Sequence, residues 1–257
     1  MSMKSINIYK THAEYDADYE NRPLVSLNLV KGGSKVLSDK KACVTFIAEE
    51  YSTIKLDKKS SFQTLEYSTD MNTWNTLDIE TTITLANKGD KVYLRGILDG
   101  ENDYGNYTQF KMTGKIAARG NCNALWNYND LEAPLKSHCG NGMFYNCTSL
   151  TSAPELPATK LAYCCYHAMF LSCTSLVEAP ELPATMLFGS SYKDMFRGCY
   201  NLNKITCLAT NMSAGNCTDN WVNGVSHTGT FIKAAGATWG TGTSGIPEGW
   251  TIQDYVG

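Results

Sequence analysis

Between residues 143 and 208 the apolar positions return at a long fixed interval instead of the short periods of a single helix or strand. MFYNCTSLTSAPELPAT, starting at Met143, is followed by MFLSCTSLVEAPELPAT from Met169 and by the looser MFRGCYNLNKITCLAT from Met195, so successive starts lie 26 residues apart. An equal period implies units stacked one on the next, with equivalent residues side by side. Leu150, Ala153, Leu156 and Leu161 therefore recur as Leu176, Ala179, Leu182 and Leu187, and Leu202, Ile205 and Leu208 continue the column. Pro154 and Pro157 punctuate this run, which favours a short strand and a turn over a continuous helix. The proline-free LAYCCYHAMF that follows predicts a helix of about two turns. One strand and one short helix per coil is the leucine-rich-repeat plan.

Upstream of the repeat the periodicity changes to two. ACVTFIAEE, STIKLDK, FQTLEYSTD, WNTLDI, TTITLAN, DKVYLRGIL and YTQFKMTGKI are short stretches rich in β-branched and aromatic residues, separated by turn residues such as Asn87-Lys88-Gly89-Asp90. They predict a β-sandwich over 37–116, with Trp74 and Tyr93 as its largest core candidates. Residues 1–36 read as an arm: INIY, a capping box at Thr11-His12-Ala13-Glu14, then the alternating LVSLNLV closed by Lys31-Gly32-Gly33. An arm this short buries no core of its own, so it is expected to dock on a partner or another subunit, or else to add an edge strand to the next domain. The expected architecture is mainly β with short helices: the arm, the β-sandwich, a leucine-rich-repeat-like solenoid over 117–228 whose first coil is a degenerate cap, and a C-terminal cap over 229–257. In that cap Trp239 and Trp250 are placed to cover the last coil.

Charge narrows the possible partners. The net charge is −3, and residues 1 to 120 hold 16 basic and 16 acidic side chains against 6 and 9 in the remainder. No clustered basic surface is present to neutralise phosphates, so nucleic acid is not an expected partner. The N-terminus lacks the apolar run of a secretory signal, and no stretch approaches the roughly 20 apolar residues of a membrane span. Synthesis in the cytoplasm and no membrane insertion follow as expectations.

Of the ten cysteines, Cys43 stands alone in the β half and reads as a buried thiol, and six fall into columns of the repeat frame. Cys147, Cys173 and Cys199 are one period apart, as are Cys139 and Cys165, with Ser191 and Cys217 completing the second column. Buried free thiols pack as small hydrophobes, so reduced core columns are the favoured reading, with disulfides between rungs as the alternative. Neither a C-x-x-C pair nor a histidine at ligand spacing to a cysteine pair occurs, so no metal and no cofactor are expected. Cys165 and His167 are close in sequence, but Cys165 already has a column position that explains it. No phosphate loop, H-E-x-x-H or G-x-S-x-G is found, and no enzymatic activity is expected. Alternate residues of the repeated strands place Ser152, Glu155, Glu178, Glu181 and Lys204 on one face, with Tyr163, Tyr166 and Tyr192 nearby. A neutral face rich in Tyr, Ser and Asn suits a glycan or protein ligand.

The repeat M-F-x-x-C-T-S-L-x-x-A-P-E-L-P-A-T resembles the repeats of BspA-type leucine-rich-repeat surface proteins of gut Bacteroidales. The preceding VTFIAEE, LEYSTDMNTWNTL, TITLANKGDKVYLRG and FKMTGKIAARGN look like the β-domain that precedes such repeats, and GIPEGWTI looks like their C-terminal end. This resemblance implies a non-enzymatic adhesin. The arm NIYKTHAEYDADYENRPLVSLNLV instead looks like N-terminal segments of virion proteins of Bacteroidales phages, crAss-like phages among them, which carry similar modules as head fibres or other decorations. It implies docking on capsid or other virion proteins through residues such as Tyr9, Tyr15, Tyr19, Arg22 and Pro23. On this reading the protein sits on the virion surface, self-associates, and offers its repeats to host glycan, protein or mucus. The alternative implied is a bacterial cell-surface adhesin.

Overall fold

The computed structural model describes residues 42–256. The arm and its five proposed docking residues lie outside that range. The described chain is mainly β, and its one helical element is a 3-10 turn at Cys122–Leu125.

Eight strands come before the repeat: β1 (Val44–Ala48), β2 (Ser52–Lys58), β3 (Gln63–Ser68), β4 (Asn75–Thr76), β5 (Thr82–Leu85), β6 (Lys91–Leu98), β7 (Gln109–Thr113) and β8 (Ile116–Arg119). Alternation along β1 and β2 buries every second residue, as a two-layer arrangement requires. One sheet runs β4-β3-β6-β1-β8 and the other β5-β2-β7, with antiparallel pairing throughout these strands. Phe46 of β1 and Phe110 of β7 meet at 5.9 Å, so the two sheets share a core, consistent with the expected β-sandwich. The stretch read as a seventh strand is two, divided at Gly114. Its φ of 76° is left-handed, and a Cβ there would lie 2.3 Å from the Tyr51 carbonyl oxygen. Tyr93 is buried as expected, but Trp74 is not a core residue. Trp74 and Tyr128 each lie against the Arg95 guanidinium, at 3.9 and 4.3 Å, while Arg95 pairs with Glu66 at 2.8 Å. A cation held between two rings takes the large side chain that the core did not need.

The first sheet does not end at β8. Strand β9 (Leu150–Ser152) adds to it in parallel, Ile116 opposite Leu150, so β8 is both the last strand of the sandwich region and the first rung of the repeat. That first coil is 34 residues long, from 116 to 150, and contains the 3-10 turn, whose four residues are buried. The 26-residue interval then returns: Glu178 bridges Lys204, and β10 (Lys204–Cys207) pairs in parallel with β11 (Thr230–Lys233). Strand β12 (Thr251–Asp254) follows on β11, so residues after 228 continue the ladder and add to it instead of only closing it. Leu208 is not the core counterpart of Leu182. Leu182 bridges Cys207, 25 residues on, because the third copy is one residue short after Lys204, and Cys207 is fully buried in its place.

Opposite the strands, each coil forms a ribbon of turns where a helix was expected. Even-numbered amides reach the next coil: those of His138, Gly140, Gly142, Phe144 and Asn146 donate to the carbonyls of Tyr163, Cys165, His167, Met169 and Leu171. Odd-numbered amides close local turns, Cys139 to Lys136 and Asn141 to His138, and so on to Cys147 and Phe144. Every fourth residue is left-handed: His138, Gly142 and Asn146 in one coil, Cys164, Ala168 and Ser172 in the next, at φ between 51° and 61°. This backbone satisfies all its amides while turning half of them toward the neighbouring coil, which an α-helix cannot do. The non-glycine left-handed residues cost about 1–2 kcal/mol each, and cross-coil bonds worth about 0.5–1.5 kcal/mol each offset that cost.

Within the stack, side chains form columns. Phe110, Phe144, Phe170 and Phe196 stack at 5.5, 5.5 and 5.7 Å, so one column begins in β7 and runs through three coils. Tyr166 and Tyr192 stack at 6.3 Å in a second. Trp221 occupies the position that Met143, Met169 and Met195 hold in earlier coils, between the two ladders. It meets Tyr192 and Phe196, each at 6.2 Å, and Trp239 stacks on it at 5.5 Å. A larger ring in the methionine column thus ends both ladders at once.

Candidate ligand-binding face

All ten cysteines are buried free thiols. In the first column the Cys147, Cys173 and Cys199 thiols donate to the carbonyls of Phe110, Phe144 and Phe170, at 3.3, 3.0 and 3.0 Å, each reaching one coil back. Burial pushes Cys165, Cys199 and Cys207 up to about 12, and Cys139 and Cys173 well above the ordinary thiol value. A thiol held protonated is a poor nucleophile and a poor metal ligand. Among the described residues no group of three or more His, Cys, Asp and Glu side chains is placed to hold a metal ion, and no helix is long and apolar enough to cross a membrane.

The strand-side residues singled out from sequence are mostly engaged with neighbouring rungs. Ser152 donates to the Ala118 carbonyl at 3.1 Å, Lys204 pairs with Glu178 at 2.6 Å, and Glu181 accepts from the Tyr255 hydroxyl at 3.3 Å. The Glu155 amide donates to Gly120 at 2.9 Å. Two of the tyrosines are not surface residues at all. Tyr166 and Tyr192 are 1% and 0% exposed, because they carry the second ring ladder. Tyr163 is 44% exposed and remains a surface residue.

Tyr163 belongs to an exposed aromatic row that the sequence did not reveal. The connection between β6 and β7 crosses the ribbon, held by Asn102 donating to the His138 carbonyl at 3.4 Å and by Asn141 donating to that of Asp103 at 3.5 Å. It sets the Tyr104 ring 4.9 Å from His138 and 5.4 Å from His167, and the Tyr104 hydroxyl 3.1 Å from the Cys164 sulfur. Tyr163 meets His138 from its own coil at 5.4 Å and lies against Gly189, where a Cβ would be 3.2 Å from its ring. Phe188, next to that glycine in the following coil, is 54% exposed, and Tyr104 is 56% exposed. The hydrogen bond with Cys164, with burial second, pushes the Tyr104 phenol above its ordinary value.

His138 contacts both Tyr104 and Tyr163 and is 8% exposed, with both ring nitrogens buried and without a hydrogen-bond partner. Burial holds the imidazole below its ordinary value, partly opposed by Asp103 and Glu101. His167 is held low for the same first reason; its Nδ1 is 2.8 Å from Asn141 Oδ1 and its Nε2 is 3.9 Å from Asp194. Tyr163 was singled out from sequence, but Tyr104 stands among the turn residues of Asn102-Asp103-Tyr104-Gly105-Asn106, which give no hint of the coil it lands on. Comparison with protein-family models, with curated proteins and with solved structures finds no match for this chain.

Proposed function

We propose that the chain is a non-enzymatic structural protein of a virion, a head fibre or similar decoration. On this reading it docks through residues 1–36 and presents a leucine-rich-repeat-like solenoid, seated on a β-sandwich, to host-surface glycan, protein or mucus. The observation that carries this reading is the division of side chains in the repeat. Its nucleophiles and most of its rings are spent on columns between coils, whereas Tyr104, Tyr163 and Phe188 are turned to solvent from three separate segments. Exposed aromatic side chains that a rigid scaffold gathers into one row mark a surface that meets a partner. The resemblance of the arm to segments of virion proteins supplies the virion. Cryo-electron microscopy and peptide mass spectrometry of purified particles test the assignment. The expected result is a decoration that accommodates the described fold; particles free of the protein would overturn it.

A further inference from the structure

We propose that the Tyr104, His138 and Tyr163 cluster, extended by Phe188, is a binding site for a neutral glycan, with a pyranose ring on the exposed aromatic rings and a sugar hydroxyl on the His138 imidazole. The inference rests on the presentation reading above and names the ligand class and the site.

Two independent features point to it. The first is the row itself. Tyr104 and Tyr163 both contact one imidazole, so their ring centroids are at most 10.3 Å apart, the sum of their separations from it. Aromatic faces are electron-rich and accept the C–H face of a sugar as they accept the edge of another ring. Small residues keep the neighbourhood open: at Gly215 an added Cβ would meet nothing within 4 Å, and at Gly105 only the Asp103 carboxylate.

The second feature is His138. A neutral imidazole has one donor and one acceptor nitrogen, and here both are buried without partners. A sugar hydroxyl can donate to the acceptor nitrogen or accept from the donor nitrogen, whereas a carboxylate only accepts and an ammonium group only donates. Reaching the imidazole requires the Tyr104 ring to turn aside, which breaks its 3.1 Å contact with Cys164.

Charge selects among glycans. Glu101 and Asp103 both act on His138, so sialylated, uronic or sulfated glycans meet repulsion at this point. A peptide finds little to hold, because the ribbon's even amides bond the next coil and its odd amides bond within the turn, leaving none free for strand addition.

The test uses the full chain on an array of neutral and acidic glycans, with proline-rich and other peptides as controls. The expected result is binding to a subset of neutral glycans and weaker binding to their sialylated forms. Tyr163→Ala or Phe188→Ala, both at exposed rings, is expected to weaken binding by about tenfold. His138→Phe is expected to weaken it while the melting temperature shows the fold kept. In isotope-labelled protein, ligand addition is expected to shift the ring resonances of His138 and Tyr104. Silence across the glycans, binding only to acidic glycans or to peptides, or affinity unchanged in Tyr163→Ala would overturn the proposal. Unchanged affinity in a folded His138→Phe would overturn the role given to the imidazole. Particle attachment that survives Tyr163→Ala would leave the presentation reading standing while removing this site from it.

Discussion

The thiols and histidines behave according to what surrounds them. Because the thiols are buried, a thiol reagent such as DTNB is expected to find almost no reactive cysteine in the native protein and all ten after denaturation without reductant. Fewer than ten on unfolding would mean that rungs are cross-linked. His138 gives a pH dependence with a definite sign. Its native value lies below the ordinary value near 6.5, so both folded and unfolded forms are neutral above that pH. As pH falls below about 6.5 the unfolded chain takes up the proton first, and stability drops until the native value is reached. His167 contributes in the same direction. Melting temperature measured from pH 7.5 down to 5 is expected to fall less steeply in His138→Phe than in the parent. Column membership was legible here, since the 26-residue spacing put Cys147, Cys173 and Cys199 together. The roles of Tyr166 and Tyr192 were not, because a tyrosine one period from another is equally compatible with a surface row and a buried ladder. What decides between them is which way the ribbon turns.

At the level of elements, the strands were readable and the ribbon was not. Alternation is a property of side chains, and it marked β1 to β7, while the break at Gly114 and the strand after it, β8, went unmarked. The segment LAYCCYHAMF has no glycine where its backbone is left-handed, at Cys164 and Ala168, so local propensity pointed to a helix. The cross-coil amide bonds that override it exist only in the stack. Ala168→Gly should therefore be neutral to stabilising by up to about 1 kcal/mol, relief of left-handed strain exceeding the added entropy of the unfolded chain. Ala168→Val should be clearly destabilising, since a branched side chain is a true outlier at that φ. Urea denaturation of the pair checks the sign. Phe170→Ala, removing a fully buried ring with a neighbour on each side, is expected to cost about 3–5 kcal/mol.

Across the whole described molecule, the boundary drawn at residues 116 and 117 cuts through a strand. Sequence could not show this, because β8 has the alternation of a sandwich strand, and its second role depends on a parallel partner more than 30 residues away. Phe110 likewise belongs to β7 by sequence and to the first ladder by contact, with its amide bonded to the Met143 carbonyl at 2.8 Å. The site inherits this continuity, since Tyr104 comes from the sandwich region and Tyr163 and Phe188 from coils. A fragment of residues 120–257 is thus expected to lack its first rung and to give the poorly dispersed amide spectrum of an unfolded chain. Scanning calorimetry on the full chain and on Phe46→Ala tests the shared core most directly. One transition is expected, with calorimetric and van't Hoff enthalpies equal and the whole of it moved down by the substitution. Two transitions, with only the first moved by Phe46→Ala, would contradict it.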